Sequence, residues 1–113
     1  MTASVDVAAA FEAVAATEPL VECLTNDVTV NDVANVVLHW GGLPVMSDSP
    51  NDAPAMAAGA DGLLLNMGTV TEAGIDTAVA AGEAATEAGA PIVVDPVGVG
   101  PTPTRDAAAE RPV

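Results

Sequence analysis

Four short apolar runs, each passing into a small, polar or Gly-bearing segment, constrain this chain more than any other feature. They are LVECLT (20–25), LPVMS (43–47), GLLLN (62–66) and PIVVD (91–95). Around them, apolar residues recur at the spacing of a helix face. Val7, Ala10, Phe11 and Val14 make one such face, and Val33, Val36, Val37 and Trp40 another, which Gly41-Gly42 closes. APAMAAGA (53–60) predicts a short Ala-rich helix. A capping box, Thr69 followed by Glu72, predicts the start of a further helix. That helix keeps Ile75, Ala78, Val79 and Gly82 on one face, runs to about Ala88, and is closed by Gly89 and Pro91. The last strands are continuous apolar runs rather than alternating ones. That pattern suits parallel strands buried on both faces and joined by right-handed crossovers, and so an α/β fold.

With 113 residues the chain has room for one domain and one core. Half of it is hydrophobic, mostly Ala and Val, with one Phe, one Trp and no Tyr, so packing must come from many small side chains. Sixteen Asp and Glu stand against two Arg and no Lys, a formal charge of −14. A chain with this apolar content is not a disordered acidic one. Scattered carboxylates without Lys suit a halophilic protein, in which salt screens the self-repulsion; an ordinary acidic protein is the plainer reading. With no basic patch to neutralise phosphates, nucleic acid is not an expected partner. One cysteine, Cys23, excludes an internal disulfide framework and suits a reducing, cytoplasmic setting as a small core residue. The acidic N-terminus does not read as a signal peptide, and no apolar stretch has membrane-spanning length. The sequence stops inside a polar, helix-friendly segment, TRDAAAERPV, after about four strands; this reads as the front part of a larger fold.

In parallel α/β sheets, ligands gather outside the carboxyl ends of the strands. Thr25-Asn26, Met46-Ser47-Asp48, Asn66-Met67-Gly68 and Asp95-Pro96-Val97-Gly98 are therefore expected to cluster. Asp95 could hold a divalent cation or orient a hydroxyl; equally it could cap the next turn or pair with Arg105. The glycines of GVG (98–100) suit an anion-facing turn or plain flexibility. Arg105 suits a phosphate clamp or a surface ion pair. Asn26 could hydrogen-bond a heteroaromatic ligand or serve the turn, with Asn31 the better cap for the helix that follows. Met46 could line a slot for a ring or fill core. His39 has no second ligand at metal spacing, and a lone helical His supports no Ser-His-Asp arrangement.

PLVECLTNDVTVNDVANVVLHWGGLPVMSDSP and LLLNMGTVT…PIVVDPVGVGPTPTR resemble the N-terminal part of the hydroxyethylthiazole kinases, in the ribokinase-like superfamily. The likeness runs from about Phe11 to Arg105, with TN-x-VT-x-ND-x-AN, PVM-x-D, LN-x-GT and DPVGVG-x-TP-x-R in order. It implies a three-layer parallel-sheet fold, of which residues 1–113 are an incomplete N-terminal portion. It also implies ATP- and Mg²⁺-dependent phosphorylation of the hydroxyl of 4-methyl-5-(2-hydroxyethyl)thiazole, in thiamine salvage, by a homotrimer. On this resemblance Met46, Asn26 and Gly68 meet the thiazole, Arg105 meets the ATP phosphates and Asp95 lies near the metal. The family is more than twice this length. Its anion hole and catalytic Cys fall beyond Val113, so no catalytic residue is expected within the chain, Cys23 included. The expectation is thus a kinase portion inactive by itself, or a non-catalytic thiazole-binding or subunit-capping module. The chain departs from the family at Glu22, where members usually carry a basic residue or His, and at Asp106-Ala107, where many carry a Glu thought to assist Mg²⁺.

Overall fold

Helix-period and strand-length segments alternate in space as they do in sequence. The computed structural model describes residues 4–68, 71–97, 100, 103 and 107. Its elements are α1 (Val7–Thr17), β1 (Leu20–Leu24), α2 (Val30–His39), β2 (Leu43–Met46), α3 (Ala53–Gly59), β3 (Gly62–Asn66), α4 (Glu72–Ala88) and β4 (Ile92–Asp95). The strands form one sheet in the order β2-β1-β3-β4, every neighbouring pair parallel.

The register sets which residues share a face. Leu24 lies beside Leu65 and Leu63 beside Ile92. On this face Leu24, Leu63 and Leu65 pack against Ala53 and Ala57 of α3 and Ala81 and Ala85 of α4, and together they are the core. The four alanines have no exposed surface. Small side chains let α3 and α4 approach each other and the sheet closely, which is how a chain poor in large anchors reaches interior packing density. Fully burying Leu63 or Leu65 contributes roughly 1.5–3 kcal/mol each relative to exposure.

The stripe of α4 that faces the core is the expected one only in part: Gly82 is buried and Ala78 packs against the core, but the stripe is rotated toward Ala81 and Ala85. Thr77, Ala81, Gly82 and Ala85 are buried, whereas Ile75 and Val79 are half-buried. Close packing against α3 selected the smallest residues over the most hydrophobic ones. At the start of α4, Thr71 is the cap and accepts from the Gly74 N–H at 3.0 Å, so the helix begins at Glu72. Thr69, the expected cap, lies outside the described residues. The end of the helix is as expected. Gly89 takes a left-handed φ of 79°, and Ala90 N–H closes onto Ala85 C=O at 2.9 Å.

On the opposite face, α2 lies over β1 and β2. The N-cap of α2 is Thr29, with no side-chain cap bond; Asn31 is inside the helix and does not cap it. Trp40 follows the last helical residue and meets Phe11 of α1 at 4.9 Å between ring centroids, tilted by 60°. The expected faces of α1 and α2 are only partly covered, with Phe11 45% and Val36 58% exposed. Nor is every strand buried on both faces: Val93 of β4 is 62% exposed.

Candidate functional site

Every strand of a parallel sheet ends at the same edge, and here the residues after those ends meet. β1 sends the chain to α2 on one face, while β3 sends it to α4 on the other. The crevice between the carboxyl ends of β1 and β3 is therefore the switch point at which α/β sheets bind ligands.

Asn26, just past β1, is held on both sides. Its Oδ1 accepts from the backbone N–H of Val28 (3.0 Å) and Thr29 (3.2 Å), an Asx turn that starts the path to α2. Its Nδ2 donates across the crevice to Asn66 Oδ1 at 3.0 Å. Asn66, the last residue of β3, also accepts the Gly68 N–H at 2.8 Å, and its Nδ2 donates to Asp95 Oδ2 at 3.3 Å. Gly68 has no room for a side chain: a Cβ there would land on the Asn26 amide. Both readings of Asn26 hold at once, since it serves the turn with one end and faces the crevice with the other.

On the β2 side, Met46 pairs in register with Cys23. With Thr25, Asn26, Val30, Ser47 and Asp48 they line a cleft of about 130 Å³. Ligand sites usually enclose at least about 300 Å³, so this is part of a pocket's wall and not a closed chamber. Met46 is half-buried and opens on this cleft, while Met67 is buried. Of the expected site residues, Asn26, Met46, Gly68 and Asp95 thus share one end of the sheet. Arg105, the expected phosphate clamp, lies outside the described residues, as do Gly98 and Val99.

Asp95 is exposed rather than buried, because β4 is an edge strand and the Asn66 amide meets its carboxylate from one side. Among the described residues no group of three or more His, Cys, Asp or Glu could hold a metal ion. A single carboxylate still fits Mg²⁺, which keeps several waters and takes ligands from substrate phosphates. No helix among the described residues is long and apolar enough to cross a membrane.

Two residues that the sequence singles out take on roles that only the fold shows. Asn66 looks like a strand end, and only the fold makes it the junction of three strands. Glu22, in the middle of β1, is fully buried with neither carboxyl oxygen hydrogen-bonded among the described residues. Burial, then the charge of Asp52, raise its pKa to about 7, with the nearby Ser47 hydroxyl acting the other way. Cys23 is buried beside it, and burial followed by the Glu22 charge pushes its thiol up.

Known proteins align with this geometry. Residues 11–111 match the family model of the hydroxyethylthiazole kinase family. A hydroxyethylthiazole kinase of Natronomonas pharaonis is 59% identical over 109 residues, which cover 96% of this chain and 39% of that protein. One of Haloquadratum walsbyi is 54% identical over 103 residues, covering 91% and 36%. The solved hydroxyethylthiazole kinase of Pyrococcus horikoshii superposes with a TM-score of 0.88 at 36% identity, over 92% of this chain and 41% of that one. The chain therefore spans about two fifths of the length of these relatives. The parallel sheet, its order of elements and its sequence all lead to one assignment: the chain belongs to the hydroxyethylthiazole kinase family.

Proposed function

We propose that this chain supplies the alcohol-binding side of an ATP-dependent kinase acting on 4-methyl-5-(2-hydroxyethyl)thiazole. The observation that carries the reading is the meeting of Asn26, Asn66, Gly68 and Asp95 at the switch point, beside the cleft lined by Met46. Met46 offers a polarisable, apolar surface to a flat sulfur heterocycle. Asn26 and Gly68 form the polar wall next to it. Asp95 is the carboxylate for Mg²⁺ and Arg105 the guanidinium for ATP phosphates. Bound Mg²⁺ would neutralise phosphate charge; this chain's own residues orient the alcohol and the nucleotide.

The groups that complete phosphoryl transfer belong to the three fifths of the family's length that this chain does not span. We read the chain alone as binding the thiazole alcohol without turnover. We also place it in the cytoplasm, in a salt-rich setting, and expect the homotrimer only with the remaining length present. Isothermal titration of the chain with the thiazole alcohol, followed by a coupled ADP assay, tests this. Binding without ADP release supports the reading. ADP release by this chain alone overturns the part about turnover, and absence of binding overturns the site.

A further inference from the structure

We propose that Asn66 is the positioning residue of the strand-end site: it aims the Asn26 amide and the Gly68 turn at the crevice and ties both to the Asp95 carboxylate. The ligand in this statement rests on the thiazole-kinase reading; the geometry does not.

The direction of every bond in the network is fixed. Asn26 Oδ1 receives two backbone N–H groups, so its Nδ2 must be the end that faces Asn66. Asn66 Oδ1 then receives two donors, Asn26 Nδ2 and Gly68 N–H. Rotating the Asn66 amide by half a turn would set its NH₂ against both donors and its carbonyl against a carboxylate, losing three hydrogen bonds at once. In the observed orientation both lone pairs of its carbonyl are used, and its NH₂ reaches Asp95. An acceptor so occupied has nothing left for a ligand. Asn66 therefore acts through its neighbours and need not touch substrate.

The network also adds a side-chain tie to strand ends that the backbone ladder already pairs, Asn66 with Asp95 in register and Met67 N–H on Asp95 C=O at 3.1 Å. Asn26 follows β1, Gly68 follows β3 and Asp95 ends β4, and one amide spans all of them. The fit is tight as well as polar. A Cβ on Gly68 would strike the Asn26 amide and come within 3.1 Å of Asn66 Oδ1. Glycine at 68 and asparagine at 66 thus serve one purpose, a fixed place for the Asn26 NH₂.

The test uses the full chain, ¹⁵N-labelled, with two variants. Asn66→Ala removes acceptor and donor together. Asn66→Asp keeps the acceptor toward Asn26 and Gly68 but faces Asp95 with a second carboxylate. The side-chain NH₂ signals of Asn26 and the backbone amide of Gly68 are expected to move and exchange faster in Asn66→Ala, and to stay near their wild-type positions in Asn66→Asp. Signals unmoved in a folded Asn66→Ala, or displaced in Asn66→Asp as far as in Asn66→Ala, overturn the proposal. Should the alanine variant not fold, a folded Asn66→Asp in which the Asn26 NH₂ and Gly68 amide signals leave their wild-type positions and exchange faster overturns the proposal, and signals that stay in place support it. Titration with the thiazole alcohol, at matched thermal stability, is the readout that a merely structural residue would not move. Affinity is expected to fall about tenfold in Asn66→Ala, because the Asn26 amide, no longer held in place, must be ordered when the ligand binds. Unchanged affinity overturns the proposal. If the wild-type chain does not bind the alcohol, the proposed function fails and the amide signals alone judge Asn66.

Discussion

Ser47 donates its hydroxyl to Asp52 Oδ2 across 3.1 Å, and the buried Glu22 carboxyl beside them is left with no hydrogen-bond partner among the described residues. A carboxylate in that position would be both desolvated and repelled, so the neutral acid is the form the fold favours. The usual carboxyl value is 4.5 and the folded value about 7, set first by burial and then by Asp52. Between those values the folded chain holds a proton that the unfolded chain has released. The stabilising contribution is whole below the unfolded value, declines as pH rises through the folded one, and is constant above it. Urea unfolding between about pH 5 and 8 is expected to show stability falling by on the order of 2 kcal/mol from this group. Glu22→Gln should flatten that fall and be the more stable protein at the alkaline end. A wild-type stability that rises across the window, or an identical slope in the variant, contradicts this.

The same strand gives a second expectation. Cys23 is 1% exposed, and its thiol is pushed up by burial and then by the Glu22 charge. The thiolate, which is the reactive form, is thus scarce and shielded at neutral pH. Labelling with a disulfide reagent should be slow in buffer, complete in denaturant, and should follow the unfolding curve between. Rapid stoichiometric labelling of the folded chain would show that the cleft admits the reagent to Cys23.

What the sequence made legible follows from how local each signal is. The strands and helices emerged within a residue or two, because apolar period and Gly or Pro punctuation are local properties. The gathering of Asn26, Met46, Gly68 and Asp95 also followed, since parallel strands place all their carboxyl ends together. The buried stripe of α4 followed only in part, at Ala78 and Gly82. Periodicity favours Ile75 and Val79, but packing against α3 demanded Ala81 and Ala85. Asn66 was legible as part of a strand-end segment and Glu22 as a departure from the family, but the junction that Asn66 makes and the burial of Glu22 were not legible, for the same kind of reason. Asn66 and its partner Asn26 are 40 residues apart, and Glu22 is set first by burial in the folded sheet and then by Asp52, from the start of another helix.

A backbone position offers a third expectation. Glu18 ends α1 in the left-handed region at φ 48°, with its N–H bonded to Val14 C=O at 2.9 Å. A residue with a Cβ is strained there, and glycine is the usual occupant. The Glu18 side chain is exposed, so removing it sacrifices little packing. Glu18→Gly is expected to raise stability by about 0.5–1 kcal/mol, the relief of the left-handed strain less the added entropy of the unfolded chain. Urea unfolding at fixed pH measures it. A loss of similar size would mean that the side chain contributes an interaction outweighing the strain.

Salt supplies the last expectation. The chain carries a formal charge of −14, with 16 carboxylates and two Arg, and the cleft itself is edged by exposed Asp27 and Asp48. Repulsion among these groups is stronger in the folded state, where they are held closer together than in the expanded chain. The screening length is about 10 Å at 0.1 M salt and about 3 Å at 1 M, so KCl should remove most of that repulsion within the first few tenths molar. The melting temperature is therefore expected to climb steeply at low KCl and then to flatten. Exclusion of salt from the surface would instead raise it steadily into the molar range, and sucrose, which is excluded but does not screen, separates the two causes. A melting temperature that stays level or drops as KCl is added would show that self-repulsion does not limit this fold.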